Sequence, residues 1–250
     1  RMCLIVFAWR PGHPQPLIVA ANRDEFYARP SQPLAHWEDR PGLYAGRDLK
    51  AGGTWLGIGR DGRFAALTNI RNPQLAQGGP SRGELVADFL HSQQAPAEYL
   101  QSLSHQASGY AGFNLLLGDA QQLWHFNQQQ GEARQLTEGL YGVSNADLDT
   151  AWPKLQRAKA ALNDCLADAH TDALLSLLGD SRAAADHELP DTGVGLPLER
   201  LLSSVFIASP SYGTRASTAL IVAADGRRQI AERRFGPAGI ALGETRLELR

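Results

Sequence analysis

Apolar residues run almost unbroken through residues 3–9 and 17–22, and the stretch between them, Arg10-Pro11-Gly12-His13-Pro14, is rich in turn formers. This pattern predicts an opening β-hairpin, so the chain begins inside a sheet. A second hairpin is predicted over residues 54–69, where Trp55-Leu56-Gly57-Ile58 and Phe64-Ala65-Ala66-Leu67 flank Asp61-Gly62, a strong short turn signal. The same pattern recurs twice. Residues 113–117 and 123–126 surround Gly118-Asp119, and residues 218–223 and 228–233 surround Asp225-Gly226.

Helical periodicity lies between these segments. Residues 81–93 open with Ser81 and Glu84 in capping-box spacing and place Leu85 with Phe89, and Val86 with Leu90, at i,i+4. Residues 152–166 set Leu155, Leu162 and Leu166 opposite Lys154, Arg157 and Lys159, and a shorter helix is predicted at 172–178. Residues 184–196, with Pro190, Gly193 and Gly195, read as a surface loop in a position to act as a lid. Hairpins at both ends with helices grouped between them oppose the strict βαβ alternation of a parallel sheet. The expected fold class is α+β: one domain over residues 1–250, with two antiparallel sheets stacked between helix layers.

Composition narrows the function classes. With Lys and Arg (24) balanced by Asp and Glu (26), a net charge of -2 leaves no basic stripe for a phosphate backbone, which excludes nucleic acid as the expected partner. The first apolar run is too short to span a bilayer and lacks the form of a signal peptide, so a cytoplasmic protein without an integral membrane segment is expected. Two cysteines, Cys3 and Cys165, are too few for a disulfide framework or a Cys-rich zinc site. Cys165, among Leu162 and Leu166, reads as a buried structural thiol.

Two further patterns carry little. Gly57-Ile58-Gly59-Arg60-Asp61-Gly62 matches G-x-G-x-x-G, yet a strand follows it, whereas the dinucleotide motif requires a helix whose N-terminal amides meet the pyrophosphate. The seven histidines show no metal-ligand spacing, and no C-x-x-C-H haem attachment is present. No cofactor is called for by the pattern; haem held by one axial side chain stays open.

The chemistry centres on Cys3. Arg1 precedes Met2, and if Met2 is the initiator its removal exposes Cys3 with a free α-amino group, a base of pKa roughly 7.7–8.0 on the same residue as the thiol. Asn22-Arg23-Asp24-Glu25 then interrupts the second apolar run, a pattern that by itself reads as an ordinary turn. Taken in order, Met2-Cys3-Leu4-Ile5-Val6, Asn22-Arg23-Asp24-Glu25-Phe26, Gly52-Gly53-Thr54-Trp55-Leu56-Gly57, Thr68-Asn69 and Gly142-Val143-Ser144-Asn145, followed by Trp152-Pro153-Lys154, resemble the NRDE family, that of transport and Golgi organisation protein 2. The match covers nearly the whole chain.

That resemblance implies a four-layer αββα fold similar to the cysteine branch of N-terminal-nucleophile hydrolases. It implies Cys3 as nucleophile, Asp24 as the carboxylate that hydrogen-bonds the α-amino group, and Asn145 as oxyanion donor. Arg215 resembles the arginine near the nucleophile, and Asn69 supplies a second amide. Asn22, Arg23 and Glu25 complete the set as binding residues. A guanidinium beside the sulfur favours thiolate, a carboxylate steadies the amine that relays the proton, and neutral amides stabilise an oxyanion. One departure stands out. The hydrolases carry an arginine immediately before the Asn of their Asn-x-Asp motif, whereas this chain has Ala21 there and Arg23 within the motif, which predicts a guanidinium on the other side of the strand. The expected activity is hydrolysis of a carbon–nitrogen amide or a thioester through an acyl-Cys3 intermediate, on a small-molecule acyl substrate. The alternative is a binding or transfer protein for haem or an acyl lipid such as acyl-coenzyme A.

Overall fold

The computed structural model describes residues 2–75 and 77–250, without the side chain of Met2. The expectation concerning Arg1 and the processing of Met2 lies outside the described residues.

The chain divides into two compact units. One comprises the residues up to Ala28 with Arg71–Pro73 and Glu138–Arg250, the other Arg29–Ile70 with Gln74–Thr137. In the first unit β1 (Met2–Trp9), β2 (Leu17–Phe26), β10 (Gly139–Val143), β11 (Tyr212–Val222), β12 (Arg228–Phe235) and β13 (Ala241–Leu249) form a sheet in the order β10-β1-β2-β11-β12-β13. Every described pairing in it is antiparallel. Its helices are α3 (Pro153–Cys165), α4 (Thr171–Leu177) and the short α5 (Leu196–Leu201).

Alternation along β1 and β2 decides what the helices cover. Leu4, Val6 and Ala8 with Ile18 and Ala20 point to one face, where they pack with Leu155, Ala158 and Leu162 of α3 and Leu174 and Leu175 of α4. Each such leucine, taken fully out of water, contributes about 1.5–3 kcal/mol.

The second unit is a sheet of seven antiparallel strands in sequence order. It runs through β3 (Ser31–His36), β4 (Tyr44–Asp48), β5 (Leu56–Ile58), β6 (Phe64–Asn69), β7 (Phe113–Gly118), β8 (Leu123–Asn127) and β9 (Glu132–Gln135). The helices α1 (Gly83–His91) and α2 (Pro96–Ser104) lay Leu85, Phe89, Leu90, Leu100 and Leu103 against Leu67, Phe113, Leu115, Leu117 and Phe126. Asp61 and Gly62, both with positive φ (56° and 72°), make the predicted tight turn between β5 and β6. The glycines of Gly52-Gly53-Thr54 are structural. Gly52 takes φ of 84°, and a Cβ on Gly53 would lie 2.4 Å from the backbone carbon of Gly83, whose carbonyl accepts a bond from the Thr54 amide at 3.2 Å.

Two local expectations are corrected. The Ser81/Glu84 capping box does not form: the residue that caps α1 is Arg82, and Glu84 instead accepts the Tyr110 hydroxyl at 2.8 Å. Lys154 does not belong to the exposed face of α3 with Arg157 and Lys159, being 1% exposed. Residues 184–196 form the expected surface loop, mostly exposed and anchored at several points. The Ala184 amide donates to Ser203 Oγ at 2.9 Å, Asp186 pairs with Arg200, and the Thr192 amide donates to Glu199 Oε1 at 2.9 Å. Glu199 is held in turn by Arg71 at 2.7 Å in a buried ion pair.

Candidate active site

The Asn22-Arg23-Asp24-Glu25 segment is strand. All four residues continue β2 and all four are buried, because the register sets each opposite a partner: Asn22 pairs with Leu4, Arg23 with Cys3 and Asp24 with Met2 on β1. On its other side Asp24 pairs with Thr214 of β11. Residues directly opposite in an antiparallel pair share a face, so Arg23 stands on the same face as Cys3. The expectation of an arginine turned away is therefore corrected: positions 21 and 23 are two apart and point the same way.

Asn22 is a staple. Its amide donates to the carbonyls of Leu178 at 2.9 Å and Val205 at 3.0 Å, and its oxygen accepts the Ser217 hydroxyl at 2.6 Å. Asp24 is anchored on one side only. Oδ1 accepts from Thr214 Oγ1 at 2.7 Å, while Oδ2 has no hydrogen-bond partner among the described residues and lies 3.9 Å from the equally unbonded Nζ of Lys154. Burial raises the Asp24 carboxyl to about 6, against the pull of the Lys154 charge and the Thr214 bond. Burial likewise lowers the Lys154 ammonium, opposed by Asp24.

Cys3 is partly buried on β1. Its thiol is pushed up to about 11, first by burial and then by the Asp24 carboxylate, against smaller opposing effects of the Asp24 backbone amide and the Arg23 charge. The β1–β10 register ends where Ile5 pairs with Val143, and Ser144 and Asn145 follow directly beyond the end of β10. Ser144 fixes this end, its hydroxyl donating to the Cys3 carbonyl at 3.0 Å and to Asn145 Oδ1 at 3.3 Å. The Asn145 carbonyl accepts the Arg71 amide at 2.7 Å. Arg71, the ion-pair partner of Glu199, also stacks 4.6 Å over the Trp152 ring.

The other expected residues are each held by contacts of their own. Arg215 occupies a β-bulge between Thr214 and Ala216, and its guanidinium donates to the Phe26 carbonyl at 3.0 Å. Glu25 accepts the Phe26 amide at 2.9 Å. Asn69 closes β6 in the second unit, paired with Phe113. Cys3, Arg23 and Asp24 thus come together at the start of β1, and the Ser144 hydroxyl links the Cys3 carbonyl to Asn145. The residues missed from sequence are Lys154, Thr214, Ser144 and Arg71. For Lys154 a signal existed: it stands four and eight residues before Ala158 and Leu162, on the buried ridge of α3.

A raised carboxyl has a stability consequence with a definite sign. Below the unfolded value near 3.8 Asp24 is protonated in both states; as pH rises towards 6 the unfolded chain ionises first, so stability is lost through this window. Denaturant titrations at pH 4 and 7 should show Asp24→Asn gaining on the wild type over that rise. A constant difference would contradict the raised carboxyl.

The likeness to known proteins extends well beyond these residues. Residues 2–237 match the family described as Transport and Golgi organisation 2. The chain belongs to this family. Over 98% of its length it is 35% identical to Transport and Golgi organization protein 2 homolog of Homo sapiens, 97% of which is covered. It is 28% identical to Transport and Golgi organization protein 2 of Drosophila melanogaster over 92% of this chain and 91% of that one. Among solved structures it is similar to penicillin V acylase from Agrobacterium tumefaciens, with a TM-score of 0.54 at 11% identity over 90% of this chain and 82% of that chain. This family member therefore has an α+β fold with two antiparallel sheets, like that of N-terminal-nucleophile hydrolases. Among the described residues no helix is long and apolar enough to cross a membrane, and no cluster of three or more His, Cys, Asp or Glu side chains is placed to hold a metal ion.

Proposed function

We propose that this protein is a cysteine hydrolase of amide or thioester bonds that acts when Cys3 is the first residue of the chain. The observation that carries the reading is the juxtaposition at the start of β1: a partly buried thiol beside a carboxylate whose second oxygen has no bonded partner among the described residues. An α-amino group on Cys3 would take the place of the present peptide nitrogen in the β1–β2 ladder. There the Asp24 carboxylate holds it as the base for the thiol.

In the reaction the amine takes the proton from Cys3, and the thiolate attacks the acyl carbon. The carbon–nitrogen or carbon–sulfur bond breaks as the leaving group receives that proton, leaving acyl-Cys3. Water then adds to the thioester, its proton passing through the amine to the departing sulfur, and the free acid leaves. Asn145, joined to the Cys3 carbonyl through Ser144, serves the oxyanion, and Arg23, on the thiol's face, favours its ionised form. A reducing compartment such as the cytosol keeps the nucleophile as thiol.

The test is intact mass with peptide mapping on protein whose chain begins at Cys3, before and after brief exposure to acyl thioesters and acyl amides. A single acyl group on Cys3, absent in Cys3→Ala and lost again with time as free acid, is the expected result. A thiol left unmodified by every donor would rule the hydrolase out.

A further inference from the structure

A fully buried lysine is costly, and Lys154 is placed where the cost is greatest. It follows Pro153 in the first turn of α3, where the helix dipole disfavours a cation, and its Nζ has no hydrogen-bond partner among the described residues. The opposite charge that faces it is Asp24 Oδ2 at 3.9 Å, itself without a hydrogen bond among those residues. An ammonium retained under these conditions needs a reason, and the carboxylate across the gap supplies one.

We propose that Lys154 is a positioning residue whose ammonium keeps Asp24 ionised, with Oδ2 left open to receive the amine of Cys3. The proposal rests on the hydrolase reading for its purpose and deepens it by adding a residue to that site. Thr214 fixes one oxygen of Asp24 by a hydrogen bond, and Lys154 supplies charge to the other without occupying it by one. The side chains fall into a layered order. Leu155, the neighbour of Lys154, packs with Leu4, so Lys154 reaches Asp24 from the helix-covered face of β2, while Cys3 and Arg23 share the opposite face. Lys154 thus acts on Cys3 chiefly through Asp24, the direct interaction with Cys3 being the smallest of the influences on the ammonium. The charged and titratable groups around the pair include Arg23 on β2, Cys3 on β1, Tyr27, whose hydroxyl is raised by burial and in part by Asp24, and Arg71, whose like charge opposes the ammonium.

The experiment is a carboxyl-carbon NMR titration of the whole folded protein with labelled aspartate, the Asp24 signal being assigned by its loss in Asp24→Asn. In Lys154→Met the Asp24 midpoint should rise by at least one pH unit, a tenfold change in proton affinity, and in Lys154→Arg it should stay near the wild-type value. An unchanged midpoint in Lys154→Met would overturn the proposal. Should both variants fail to fold, the wild type still decides: the side-chain carbon next to the Lys154 nitrogen must show an inflection at the Asp24 midpoint. A lysine signal blind to that midpoint would sink the pairing. None of these readings requires turnover. Acylation of Cys3 with an unmoved midpoint would remove Lys154 and leave the hydrolase standing, and a moved midpoint with an inert thiol would do the reverse.

Discussion

Iodoacetamide should alkylate Cys3 of the folded, unprocessed chain along a pH profile that still climbs at pH 10 and has its midpoint near 11. An ordinary thiol has its midpoint near 9, so at neutral pH the thiolate fraction of Cys3 is about a hundredfold lower. The more basic thiolate is also the better nucleophile, which restores about tenfold at a Brønsted slope near 0.5. The net expectation at pH 7.5 is labelling about tenfold slower than a free thiol, before restricted access slows it further. Two causes are separable. Asp24→Asn removes the carboxylate's repulsion and should lower the midpoint while leaving the burial effect, and denaturant should return the profile to its ordinary place. A midpoint at or below 9 in the folded wild type would contradict both the burial of the sulfur and its repulsion by Asp24. On the proposed mechanism an internal Cys3 is at rest, because its neighbours oppose thiolate more than they favour it and an α-ammonium held against Asp24 would be the group to reverse the balance.

The hairpins were legible from sequence because their information is local: Asp61-Gly62 has the two positive φ angles that the turn demands, and the apolar runs beside it are buried as read. The edge strands were less so. β13 is exposed over its first four residues and only half-buried at alternate positions after them, and β3 buries only Leu34 fully, so the alternation by which a half-buried strand is recognised is weak in the one and missing from the other. The polar quartet of β2 looked like a turn for a related reason. Its burial is made possible by residues far away in sequence: Leu178, Val205 and Ser217 for Asn22, and Thr214 and Lys154 for Asp24. No window around residue 24 contains them. Family resemblance supplied Cys3, Asp24 and Asn145 as a set, and the strand register then showed why Cys3 and Asp24 meet, with the Ser144 hydroxyl linking the Cys3 carbonyl to Asn145. Resemblance did not distinguish Asn22, which holds the fold, from Asp24, which keeps an open oxygen.

That distinction gives the largest expected change in stability. Asn22→Leu should destabilise the protein by about 4 kcal/mol, since the two carbonyls and the hydroxyl that Asn22 now satisfies would stay buried without it, at about 1–3 kcal/mol each. For a chain of 250 residues a loss of that size corresponds to a Tm lower by about 10 °C in calorimetry. Ser217→Ala removes one of the three bonds and should cost about 1 kcal/mol; a similarly small loss for Asn22→Leu would show that the carbonyls find other partners. The sharper contrast is with Asp24. Neighbours in a strand alternate, so Asn22 and Asp24 share the helix-covered face, whereas Arg23 shares the face of Cys3. Asn22→Leu should therefore lower Tm while the folded fraction keeps the alkylation profile of the wild type, because Asn22 carries no charge that acts on the sulfur. Asp24→Asn should move that profile. If instead both variants shifted the thiol midpoint equally, the segment would act on Cys3 through general loosening of β2, and a specific role for the Asp24 carboxylate would fall.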